Sequence, residues 1–203
     1  MKPRCPRGSA LPALASMLLV SCVPWTVRPI DQSGTDSGRS RPFDARQYVD
    51  SMWTSKLLPA VSAGAVDVAE ILRQGGPRGG AFLVKGEGRV LRVDTSSRAG
   101  LLTIDTQPYD GRPHAAIEIG PVIRGTTLRD ALPFIQFSQF VNQLQFAQVG
   151  NALNDRVSAA LASFPTRDLA GSIVMFSGAA VWPSESDLPE IVPVTLAVKR
   201  GRP

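Results

Sequence analysis

Two cysteines and one histidine in 203 residues leave little material for thiol or metal chemistry. His114 has no second histidine with which to build a His-based metal cluster, so no metal site and no cofactor is expected. Charged residues make up only 19% and apolar ones 43%. That balance is too apolar for a disordered basic tail and not apolar enough for a polytopic membrane protein. Aromatic residues are scarce at 6%, which leaves few stacking platforms for nucleic-acid bases, and no nucleic-acid partner is expected. No stretch reaches the ~18 consecutive apolar residues of a membrane-spanning helix.

Catalytic motifs are missing as well. Gly86-Glu87-Gly88 starts a G-x-G, but Leu91 stands where the third glycine would be and the segment reads as strand. The dinucleotide fingerprint instead needs a tight turn opening a helix. The run GGPRGG at residues 75–80 has no following Gly-Lys-Ser/Thr and cannot cradle phosphates as a P-loop does. There is no G-x-S-x-G elbow. Asp105, Asp110 and Glu118 read as turn and strand-surface residues, and His114 as a surface residue at a strand start. The chain is therefore not expected to be an enzyme.

What is present begins with an address. Lys2, Arg4 and Arg7 precede an apolar run from Ala10 to Val20. As a helix that run would reach roughly 16 Å, well short of the ~30 Å hydrocarbon core. It reads as a signal peptide over residues 1–21. Leu19, Val20, Ser21 and Cys22 follow in the order of a bacterial lipobox, which makes Cys22 the expected lipidation site and the attachment to the membrane. Val23 after that cysteine leans towards the outer rather than the inner membrane. The formal charge of +5 and the pI near 9.8 suggest a phosphate partner at first sight. Three of the basic residues lie in the leader, which holds no acid, so the chain beyond Cys22 is closer to neutral.

Residues 22–42 are rich in Pro, Gly and Ser and read as a tether with a reach of about 25 Å. A helical segment is expected over residues 43–76. Asp44 is its N-cap, Val49, Met52, Trp53 and Leu57 form an apolar face, and Pro59 ends or kinks it. A second short helix is read from Ala65 to Arg73. From Ala81 the apolar period changes to two. Strands are expected around 81–93, 101–106, 115–119, 172–181 and 191–198, with a helix over 138–162 between the third and fourth. Gly86 and Gly88 should bulge or bend the first strand. The expected fold is α+β: a five-stranded OB-like β-barrel over residues 81–200 with an inserted helix, preceded by the small N-terminal helical segment. A two-layer α+β sheet is the alternative.

The stretch IGPVIRGTTLRDALPFIQFSQFVNQLQFAQVGNALND, residues 119–155, mixes amides with aromatics. Amides offer both donors and acceptors to a hydroxyl-rich ligand or a peptide backbone, and they also cap helices. Arg124, Asn142, Gln148 and Asn151 are the candidate ligand or partner contacts. In an OB-like barrel the ligand region would be Asp105–Glu118 and the loop from Trp182 to Pro189.

The motifs IGPVIRGTTLRDALPFI and AQVGNALN, with FLVKGEGRVLRV, Trp53 and the lipobox, resemble a family of predicted bacterial periplasmic lipoproteins of unknown function. The likeness covers most of residues 20–200. Members are commonly encoded beside ribose- or xylose-type sugar ABC transporters. The resemblance implies an accessory role, with a sugar-binding protein or ABC permease as the partner, and supplies no catalytic residues. The alternative function is an envelope structural or assembly lipoprotein with no small ligand.

Overall fold

The structure is a computed structural model that describes residues 42–75, 79–182 and 188–199. The leader, Cys22, the tether up to residue 41, the middle of GGPRGG and residues 183–187 of the Trp182–Pro189 loop lie outside the described residues.

Helix α1 (Ala45–Met52) starts where Asp44 accepts hydrogen bonds from the backbone N–H groups of Arg46 (2.9 Å) and Gln47 (3.1 Å). A π-helical turn (Trp53–Leu57) leads directly into α2 (Leu58–Gly64). Pro59 lies in the first turn of α2, so the helical path widens ahead of it instead of stopping. Strand β1 (Val66–Asp67) then takes the start of the expected second helix. Helix α3 is shorter, Val68–Arg73, because Asp67 caps it by accepting from the Ala69 N–H at 2.8 Å.

The remaining strands are β2 (Ala81–Asp94), β3 (Leu101–Thr106), β4 (Ala115–Glu118), β5 (Ile173–Val181) and β6 (Glu190–Val198). Between β4 and β5 lie α4 (Thr127–Asp130), a single 3₁₀ turn (Phe137–Gln139) and α5 (Gln143–Leu161). The architecture is mixed α+β with one six-stranded sheet in the order β1-β2-β3-β4-β6-β5, and β2 also pairs with β5. The sixth strand corrects the expected five: Val66 and Asp67 run parallel to Val84 and Lys85. Besides β1, the long strand β2 serves two longer partners, β5 along residues 81–89 and β3 along residues 88–94.

The glycines of β2 do something other than bulge. The irregularity in β2–β3 pairing falls between Val90 and Arg92. Gly88 instead permits close packing, since a Cβ there would sit 2.9 Å from the Ile104 side chain. Gly178 is the sharper case. A Cβ would overlap the Val192 carbonyl oxygen where β5 and β6 shift register opposite Pro193.

Alternating strand residues feed two apolar clusters. Leu83, Ala179, Val192 and Val194 join α1, α2, α4 and α5 around Leu57, Leu128, Leu132 and Leu153. Their neighbours Val84, Ala180 and Ile191 point the other way, onto Leu102, Ile104, Ile117, Val174 and Phe176. Strands β2, β5 and β6 are thus apolar on both faces, one under the helices and one towards the other strands.

Candidate functional site

Helix α5 begins five residues later than the expected Ser138, and the reason lies in its amides. Phe140 is extended (φ −117°, ψ 148°), as is Asn142. The Asn142 side chain accepts from the Gln145 N–H at 2.9 Å, and the Gln145 side chain accepts from the Val141 N–H at 3.0 Å. One turn earlier the Gln139 side chain accepts from the Gln136 N–H at 3.1 Å. Asn142 is thus a helix cap.

These caps fix an unusual surface. Phe140 is 9% exposed and meets Phe43, Tyr48 and Phe146 with ring centroids 5.6–5.7 Å apart. Phe137 stands edge-on to Phe146, and the Arg129 guanidinium covers the Phe146 ring at 3.9 Å. Burial pushes the Tyr48 hydroxyl above its ordinary pKa. Outside this rigid base Val141 is 87% exposed, Leu144 66% and Phe137 49%. No charged residue occurs between Asp130 and Asp155. Three large apolar side chains therefore face solvent from a stretch of chain without charged residues, which also carries the exposed Gln136, Gln139 and Gln143. That charge gap is legible in the sequence and is the signal that finds this surface.

Gln148 and Asn151 do come together. With Asp155 they line a cavity of about 550 Å³ against Phe43–Gln47. Asn154 faces elsewhere, donating to the carbonyls of Ile123 and Gly125. Arg124 is apart from that cavity. Its backbone N–H donates to Glu118 Oε2 at 3.0 Å, and its guanidinium lies 3.5 Å from Glu190 Oε2. A cavity of about 910 Å³ lies over β2, β5 and β6 and was not anticipated. Its polar groups include Ser177 and Thr195, hydrogen-bonded at 2.7 Å, and Glu87, paired with Lys199 at 2.8 Å.

Two acids expected at the surface are buried. Glu118 is 3% exposed, and desolvation raises its pKa more than the Arg124 N–H bond lowers it. Asp105 is fully buried, and its Oδ2 accepts from the Gly111 N–H at 2.9 Å. The loop between β3 and β4 returns on itself through Gly111 (φ +80°), which brings Asp110 and His114 to Asp105. Nδ1 of His114 lies 3.4 Å from Asp105 Oδ1, and Nε2 lies 3.3 Å from Asp110 Oδ1. The half-buried ring is thus not the surface side chain expected from its place after Pro113.

Among the described residues no helix is long and apolar enough to cross a membrane. A family model described as predicted periplasmic lipoprotein (DUF2291) matches residues 13–197. No curated protein matches the sequence. Among solved structures, the chain is similar to an OB-fold protein from Thermotoga maritima at a TM-score of 0.61 and 15% identity. That likeness covers 77% of this chain and 99% of the other, and it concerns the fold alone.

Proposed function

Because the chain belongs to this family of predicted periplasmic lipoproteins, we propose that it is a lipid-anchored, non-catalytic interaction module accessory to a sugar ABC-transport system. Cys22 carries the lipid, in the outer membrane by the reading of Val23, and the domain beyond it holds a partner. We read the ring of pairings β2–β3–β4–β6–β5–β2 as a closed five-stranded OB-like barrel with β1 as an accessory strand.

The observation that carries this reading is the exposure of Phe137, Val141 and Leu144 in a stretch of chain that holds no charged residue. Depletion of charge, with aromatic and aliphatic side chains surrounded by polar groups, is the composition of an interface core. The aromatic base beneath holds these side chains before any partner arrives, which lowers the ordering cost of association. Gln148 and Asn151 supply polar contacts from the next turns of α5, Asn142 orients the patch through its cap, and Arg124 offers a separate charged contact near β4.

The test is calorimetric titration of the full chain, with Cys22→Ser to remove the anchor, against a periplasmic ribose- or xylose-binding protein and its permease. Binding to one component, weakened at least tenfold by Val141→Asp with the circular dichroism unchanged, is expected. Absence of binding to both components, or binding indifferent to Val141→Asp, would overturn the proposal.

A further inference from the structure

Past Leu83 the helix-side face of β2 changes character. Leu83 packs under the helices, and two residues further, on the same face, stands the exposed Lys85. Its register partners are Asp67 on β1 and Ser177 on β5, and Ser177 is in turn opposite Thr195 on β6. An acid, a cation and two hydroxyls thus form one row across four neighbouring strands, roughly 14 Å long at the usual spacing of ~4.8 Å. The next row along the strands carries Glu87, Met175 and Ala197. Both rows line the cavity of about 910 Å³, as do Leu58 and Ser62 of α2 and Gln107 just beyond β3.

The charges of this cleft cancel. Lys199 pairs with Glu87 at 2.8 Å, and Asp67 stands beside Lys85 in the register. An ion entering would give up its hydration for surroundings of no net charge. What the cleft holds instead are groups that donate and accept at once. Ser177 Oγ and Thr195 Oγ1 share one hydrogen bond of 2.7 Å, which uses one O–H and leaves the other, with the remaining lone pairs, to a ligand. Ser62 and Gln107 have the same two-way capacity. Beside them lies apolar surface from Leu58, Ala197 and Met175, the last 48% exposed.

We propose that this cleft binds an uncharged, polyhydroxylated small molecule, a saccharide. The hydroxyls of a sugar ring donate and accept together, as Ser177, Thr195, Ser62 and Gln107 do, and its C–H faces pack on apolar side chains such as Met175 and Leu58. The charged groups serve the same ligand without demanding charge from it: carboxylates accept from its hydroxyls and Lys85 donates to them. Asp67 keeps one oxygen for this, since Oδ1 accepts from the Ala69 N–H at 2.8 Å. The volume lies within the roughly 300–1,000 Å³ of small-molecule sites. None of the cavity's lining residues belongs to the Phe137–Leu144 patch, so the cleft is a second site. The proposal stands on this lining and not on the reading of the chain as a transport accessory.

The experiment uses the full chain in detergent, with methyl-labelled methionine, titrated with D-arabinose, D-glucose and maltose. D-Gluconate and D-glucosamine serve as charged counterparts. Calorimetry gives the affinity, and the Met175 methyl resonance gives the place, with the buried Met52 as internal reference. Expected are saturable binding of at least one neutral sugar and a shift of the Met175 methyl with Met52 unmoved. Affinity should fall about tenfold in Thr195→Val and in Ser177→Ala. Thr195 is exposed and valine keeps its shape, so Thr195→Val removes the hydroxyl and leaves the strand intact. No saturable binding of the three neutral sugars, or tighter binding of gluconate or glucosamine than of glucose, would overturn the proposal. So would binding that leaves the Met175 methyl unmoved, or an affinity unchanged in Thr195→Val. The outcome does not depend on lipidation of Cys22 or on a transport partner, so it can fail while the proposed function stands.

Discussion

At the start of α5 the protein leaves Val141 87% exposed in a stretch of chain without charged residues, while at the end of β3 it buries Asp105 completely. The two regions depart from the usual sorting of side chains in opposite directions. An exposed apolar group costs little in the isolated molecule and gains on association. A buried carboxylate costs the isolated molecule at once and is tolerated only where something compensates it. The first region therefore offers a surface to a macromolecular partner, while in the second the His114 ring stands between two carboxylates. Both lie where a loop meets a regular element and are fixed by short-range hydrogen bonds: those of Asn142 and Gln145 in one case, that of the Gly111 N–H in the other.

The strongest way to break this contrast is inside the aromatic base. Phe140→Ala should cost about 3–5 kcal/mol in urea unfolding, because it leaves a cavity among Phe43, Tyr48 and Phe146. Its neighbour Val141→Ala should stay within about 0.5 kcal/mol of wild type. Equal effects at the two positions would show that the exposed side chains are part of the core. On the other side of the comparison, Gly111→Ala should cost about 1–2 kcal/mol in the same assay. No atom lies within 4 Å of the added Cβ, so the penalty would come from the left-handed backbone alone.

Asn142→Ala should lose about 1 kcal/mol through the missing cap, with α5 fraying from its first turn, seen as faster amide exchange at Gln145. Unchanged exchange there would remove the cap from the account of the patch. The smallest effect concerns Glu118. Its folded pKa lies above its unfolded value, so the native state binds more protons, and stability falls as pH rises from the ordinary carboxylate value through the raised one. Glu118→Gln, whose carbonyl still accepts from the Arg124 N–H, should flatten that decline in melting temperature against pH. A slope equal to wild type would place the titration elsewhere.

The strands were legible because period-two alternation is written residue by residue. Leu101–Thr106 lies where the pattern puts it, and the order of three strands, a helix and two strands is the one observed. The sixth strand was not legible: Val66–Asp67 is two residues long and pairs only because β2 passes beside it. The start of α5 was misplaced because the apolar spacing of Phe140, Val141 and Leu144 suits a helix, while the competing bonds of Asn142 and Gln145 decide where it starts. Arg124, Asn142, Gln148 and Asn151 were named for their chemistry alone. Only Gln148 and Asn151 share a cavity, since helical spacing brings those two together and does nothing for the others. The Asp105–Asp110–His114 cluster has no spacing signature. It exists because a glycine turn folds the loop back onto a buried strand end, and a search for paired histidines passes it by.

The most direct test of the interaction-module account is photo-crosslinking in intact cells, with a photoreactive side chain placed at Val141 and, as a control, at exposed Ser163. The account predicts one dominant adduct from position 141, to a component of a sugar-uptake system, and none from position 163. Absence of an adduct at position 141, or the same adducts from both positions, would contradict it.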